Sequence, residues 1–211
     1  MSFFCRNTAM YDMREQTSAT HVTAPSADSS LVHPLDEFYA RAGQPLPPWN
    51  EVDGEAVPEP LKTLLVHQDD MTPTLEKFYQ RSVYLQVLGR RRRDDTYFRE
   101  VVLRLDGTGE AVEFGAIKIH LELFAKAARE QILQEHLPLG HILEEHKIPH
   151  TSRPRAYLRL ASDKLINEVL ELSGAQVLYG RRNTLFDPQQ RPLAEIVEIL
   201  PLAASRKDTA K

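Results

Sequence analysis

Apolar residues recur at two spacings along this chain, and each spacing predicts a different kind of element. Over residues 83–89, 97–105, 111–119, 153–160, 176–186 and 192–200 they alternate with polar residues, the period of a strand. Asp106-Gly-Thr-Gly and Asp187-Pro-Gln-Gln are turn sequences that fold neighbouring strands back on each other. Residues 90–95, four arginines and two aspartates, read as a solvated loop between the first two strands. Helical spacing appears over residues 36–41, 60–67, 72–79, 121–134, 138–146 and 163–172. Thr72 followed by Pro73 reads as a cap and first helical residue, and Ser162 as the cap of the last helix, which Gly174 closes. Trp49 lies in a proline-rich stretch and reads as a packing plug.

Hairpins separated by helices predict an α+β fold: a single, mainly antiparallel sheet of about six strands flanked by helices that cover one face. The ordered domain is expected over residues 34–203. Residues 1–33, rich in Ser, Thr, Ala and Asp, read as an N-terminal tail, and 204–211 as a polar C-terminal tail.

Composition narrows the function classes. The 211 residues are 42% hydrophobic and 27% charged, ordinary for one globular domain. No run approaches the ~20 apolar residues of a membrane span, and no basic-then-apolar start suggests a secretory signal. Cys5 is the single cysteine, which excludes disulfide scaffolds and cysteine-based zinc sites. A net charge of −4 argues against nucleic acid as a partner. The expectation is a cytoplasmic protein acting on a small molecule, with its oligomeric state open.

Two charges stand where the strand pattern calls for apolar residues. In the second strand, Tyr97, Arg99, Val101, Leu103 and Leu105 share a face, while Phe98, Glu100, Val102 and Arg104 share the other, which reads as solvated or lying under a helix edge. In the last strand Glu198 shares a face with Ala194, Ile196 and Leu200. A charge among apolar neighbours is costly unless paired or bound. One reading is a buried Arg99–Glu198 salt bridge. The other is a ligand cavity in which Arg99 grips a carboxylate and Glu198, its pKa raised by desolvation, moves a proton. Periodicity does not choose between them.

The order of several short motifs resembles a known family. Met71-Thr72, Phe98-Arg99-Glu100-Val101, Pro138-Leu139-Gly140, Gly180-Arg181-Arg182, and Pro192-Leu193 with Glu198-Ile199-Leu200-Pro201 look like chorismate pyruvate-lyase. The resemblance runs over roughly residues 60 to 201. It implies a chorismate lyase-like fold with an internal aromatic-acid site, and an elimination of pyruvate from chorismate to give 4-hydroxybenzoate with no metal or organic cofactor. It places Arg99 on the ring carboxylate, the backbone of Met71 and Leu139 around the ligand, and Glu198 at the hydroxyl end.

The chain departs from that pattern at Ala116, where the family commonly carries an arginine, at His120 for a proline, and at Tyr179 for a tryptophan. Lys118, two residues from Ala116 and on the same face, is the expected substitute grip on a second carboxylate. Effector-binding domains of one class of bacterial transcription regulators share the fold, which keeps a non-catalytic sensor as the alternative. Those proteins carry a winged helix ahead of the sensor, and residues 1–60 do not read as one. Among the eight histidines none falls at a metal-ligand spacing, so no metal site is expected. Neither a Gly-x-Ser-x-Gly nucleophile elbow nor a phosphate-cradling glycine loop is present.

Overall fold

A computed structural model describes residues 29–201. A 3-10 turn at Ser29–Val32 leads into α1 (Leu35–Arg41), and Val32 already lies in the core. Of the expected N-terminal tail only residues 29–33 are described, and the expected C-terminal tail, 204–211, lies wholly outside the described residues. The elements that follow are β1 (Trp49–Val52), α2 (Leu61–Leu65), α3 (Met71–Tyr79), β2 (Val83–Arg93), β3 (Thr96–Leu105) and β4 (Ala111–His120). After these come α4 (Lys126–Gln134), α5 (Leu139–Glu145), β5 (Thr151–Ala161), α6 (Lys164–Val169), β6 (Val177–Phe186) and β7 (Pro192–Leu200).

The fold is α+β, as the hairpin pattern predicts. All strands join one antiparallel sheet in the order β1-β5-β6-β7-β4-β3-β2. It has seven strands rather than six, because Trp49–Val52 pairs along the edge of β5, with Trp49 opposite Leu160. Four residues hemmed by Pro45, Pro47 and Pro48 carry too little alternation to announce a strand. Trp49 does pack against the core, as expected of a plug.

Helices cover both faces of the sheet, not one. On one face Phe98, Val102, Phe114, Val197 and Ile199 pack with Leu35, Phe38 and Tyr39 of α1 and Ile166 of α6. On the other, α2 and α3 bury Leu61, Leu64, Leu65 and Leu75 at one end, while α4 and α5 bury Ala128, Ile132, Ile142 and Leu143 at the other. Each fully buried leucine contributes on the order of 1.5–3 kcal/mol, so both faces are held by real cores. Glu100 is accordingly buried on the face under α1, the helix-covered one of the two alternatives the sequence leaves open.

Four local expectations change. The arginine run is strand, since β2 extends to Arg93 and only Asp94 and Asp95 turn the chain, Asp94 in the left-handed region at φ 52. Ion pairs from Arg90 to Glu135 and from Arg91 to Glu37 accommodate these charges on an edge strand, where charge blocks pairing with another chain. The cap of α3 is Asp70 rather than Thr72, and the cap of α6 is Asp163, whose side chain accepts from the Ile166 amide. Ser162 instead accepts from the Gln176 amide through its hydroxyl. The predicted helix at 121–134 begins only at Lys126, after a 3-10 turn. Among the described residues no helix is long and apolar enough to cross a membrane.

Candidate functional site

The two half-cores beneath α2–α5 do not meet. Between them the sheet floor, roofed by the starts of α3 and α5, leaves a cavity lined by Met71, Thr72, Arg99, Glu113, Leu139, Asn183 and Glu198 among others. Its envelope is about 560 Å³ including the mouth, and about 60 Å³ of it is open to the centre of a water molecule, room for several waters. The two roofing helices approach closely because residue 140 is glycine: a Cβ there would stand 2.9 Å from Thr72 Cβ.

Strand parity brings Arg99, Glu113 and Glu198 to this one face. Arg99 is 2% exposed, and its Nε and Nη1 have no hydrogen-bond partner. Burial pushes its pKa down to about 10, partly offset by Tyr97 and Glu135, so it stays cationic at neutral pH. Glu198, 3% exposed, is paired, but not with Arg99. Its Oε2 accepts from Nε of Arg181, the residue directly opposite on β6. The structure therefore rejects the Arg99–Glu198 salt bridge and leaves Arg99 at the cavity wall with no ion-pair partner among the described residues.

Arg181, 0% exposed, does a second job. Its Nη1 and Nη2 donate to the carbonyls of His67 at 3.3 Å and Asp69 at 3.1 Å, tying the segment before α3 to the sheet. His67 answers as a neutral ring: Nε2 donates to the Leu64 carbonyl at 2.7 Å and Nδ1 accepts from the Asp69 amide at 3.1 Å. Burial and the Arg181 charge lower its pKa. Asp70, the cap of α3, binds His150 Nε2 at 2.8 Å, and that hydrogen bond raises the His150 pKa against the effect of burial. Gly180 lets β6 lie close to β7 here, since a Cβ would stand 2.3 Å from the Glu198 carbonyl oxygen.

Glu113 was not among the expected site residues. It is 5% exposed, its Oε2 has no partner, and burial together with the Glu198 charge raises its pKa well above the usual carboxylate range, with Arg181 opposing. A signal for it exists in the sequence: Glu113, Gly115, Ile117 and Ile119 share a face, an acid in apolar company like Arg99 and Glu198. Arg181 and Asn183 were harder to find, because Arg181-Arg182-Asn183-Thr184 is polar on both faces. Asn183 donates to Ser152 Oγ at 2.9 Å and forms part of the cavity wall.

Of the expected residues, Met71, Arg99, Leu139 and Glu198 line the cavity, and Lys118 does not. Lys118 lies on the opposite face of β4, with Nζ 2.8 Å from Glu195. The reason is parity: Ala116 and Lys118 do share a face, but it is the face away from Glu113, Gly115 and Ile117. Ala116 borders the cavity while its side chain belongs to the core under α1. Lys118 cannot grip a ligand carboxylate there. No cluster of three or more metal-ligating side chains occurs among the described residues.

No family model matches the chain, and no curated protein matches it. Solved structures do match part of it. The effector domain of PhnF from Mycobacterium smegmatis is similar at 12% identity and a TM-score of 0.47, over 62% of this chain and 87% of that one. The longer PhnF structure is similar at the same identity and TM-score over 64% of this chain, which spans 65% of PhnF. A GntR-family transcriptional regulator from Bacillus cereus is similar at 10% identity and a TM-score of 0.43, over 61% of this chain and 99% of that one.

Proposed function

We propose that this chain is a binding domain for a small, single-carboxylate organic acid of aromatic size, seated in the cavity with its carboxylate on Arg99. The observation that carries this reading is the guanidinium of Arg99, 2% exposed with two nitrogens unpartnered. Holding an unpaired charge out of water costs several kcal/mol, and a bound carboxylate offsets it through a planar, two-point hydrogen bond. Arg181 is already committed to Glu198 and to main-chain carbonyls, so it offers no second clamp. Calorimetry with 4-hydroxybenzoate tests the reading. Binding that Arg99→Met removes supports it, and equal binding by wild type and variant sinks it.

A second reading is favoured by the acids at the far end of the cavity. Chorismate becomes 4-hydroxybenzoate when a base takes the proton from the ring carbon that bears the hydroxyl and the ether bond on the adjacent carbon breaks. Enolpyruvate then leaves with the electron pair, takes up a proton and becomes pyruvate. Aromatisation drives the step, so the protein need only orient, desolvate and move one proton. Glu198 is the base this reading requires. Its Oε2 is already held by Arg181, and Arg99 is the one cation lining the cavity among the described residues, so the second carboxylate of chorismate has no cationic partner there. Release of 4-hydroxybenzoate and pyruvate from chorismate, unchanged by a chelator, would establish the lyase. Intact chorismate beside tight 4-hydroxybenzoate binding would leave the binding domain alone.

A further inference from the structure

The cavity has two chemically different poles. Arg99 sits on β3, and the acids sit on β4 and β7, where Glu198 is directly opposite Gly115. Glu113 Oε1 lies over that glycine, 3.3 Å from where a Cβ would stand, so the absence of a side chain at 115 lets the two carboxyls approach. Both line the cavity, yet only one guanidinium, Arg181, is bound to the pair, and it is bound to Glu198. Glu113 Oε2 is buried and makes no hydrogen bond.

We propose that Glu113 is a ligand-contacting, specificity-determining residue: a neutral carboxylic acid that donates a hydrogen bond to an oxygen on the end of the ligand remote from Arg99. The proposal rests on the carboxylate-binding reading above and narrows its ligand to one with a carboxylate at one end and a hydroxyl, ether or carbonyl oxygen at the other. The charge count supports it. Two ionised carboxyls beside one guanidinium leave an excess buried negative charge, and a proton on Glu113 removes it. The charged groups that line the cavity, and those bound to Glu198, are each accounted for. Arg181 on β6 and Glu198 on β7 form one pair, and Asp70 at the start of α3 is bound to His150. His67 is neutral, and Arg99 stands at the other pole of the cavity. Burial and the Glu198 charge both favour the protonated form of Glu113, while Arg181 opposes it. A neutral acid has a donor that a carboxylate lacks, and Glu113 Oε2 has no protein partner among the described residues.

The test compares 4-hydroxybenzoate with 4-methylbenzoate, equal in size but lacking the oxygen, on wild type, Glu113→Gln and Glu113→Leu. Wild type is expected to prefer the hydroxyl compound about tenfold, the effect of one buried hydrogen bond. Glu113→Gln keeps a donor of the same shape and should keep most of that preference, whereas Glu113→Leu should lose it. If Gln loses as much as Leu, Glu113 acts as an ion and the proposal fails. If all three proteins prefer the hydroxyl equally, Glu113 does not touch the ligand and the proposal fails as well. Infrared difference spectra of wild type against Glu113→Gln give a ligand-free check. A protonated carboxyl band at neutral pH that vanishes in the variant is expected, and its absence overturns the proposal even if neither probe binds. Failure of both probes to bind wild type, with that band present, refutes the carboxylate site and leaves the neutral acid standing.

Discussion

Arg182 and Arg99 are both buried guanidiniums on strands of the same sheet, 6% and 2% exposed, yet they lie on opposite faces and in opposite circumstances. Arg182 donates through Nη2 to Glu195 at 2.6 Å and through Nη1 to the Asn183 carbonyl at 2.7 Å. His120 and Lys118 beside Glu195, with Arg182, hold that carboxyl well below the usual range although burial works the other way. Here Arg182 and Lys118 each have a carboxylate oxygen of Glu195 as acceptor. Across the sheet, Arg99 has the cavity in front of it and no acceptor for Nε or Nη1. The difference teaches where to look for function. A buried charge that the protein has satisfied is architecture, and one left unsatisfied at a cavity is waiting for something from outside.

The comparison can be pressed experimentally. The largest effect is expected from Arg181→Ala, which strands Glu198 beside Glu113 and frees the segment before α3. Breaking a buried pair in this way costs about 3–5 kcal/mol, so urea unfolding should show a severe loss of stability. The sharper contrast comes from Arg99→Met and Arg182→Met. Arg99→Met should leave the empty protein as stable as wild type or about 1 kcal/mol more so, because it removes an uncompensated charge, while weakening 4-hydroxybenzoate roughly a hundredfold. Arg182→Met should destabilise by about 1–3 kcal/mol and spare ligand affinity. Equal destabilisation by the two would erase the distinction between them.

Smaller effects come from the acids. Glu100, on the face under α1, has its pKa raised to about 7 by burial. Between its ordinary value near 4.5 and about 7 the folded protein holds a proton that the unfolded chain releases, so stability falls as pH rises through that window and then levels. Glu100→Gln should flatten this decline and gain on the order of 1 kcal/mol at pH 8, after allowing for screening by solvent. The gain is read from unfolding midpoints at several pH values. The smallest effect is expected from Lys118→Ala, which should change 4-hydroxybenzoate affinity by less than about twofold, since the side chain is on the wrong face. A large loss there would mean that the two faces communicate through β4.

The sequence by itself determined the strand hairpins, the turns, and the odd charges Arg99 and Glu198, because alternation is a property of neighbouring residues and survives without any knowledge of the fold. It also held, unread, the same sign at Glu113. Only the tertiary structure decided which faces are covered, since helices on both sides of the sheet are set by packing between distant segments rather than by the local pattern. Pairing was decided there too. From spacing, Arg99 and Glu198 are as good a salt bridge as any, but the strand order puts β4 between β3 and β7 and sets Arg181 directly opposite Glu198. Lys118 shows the same limit: parity told which residues share its face, and only the assembled sheet told that this face turns away from the cavity.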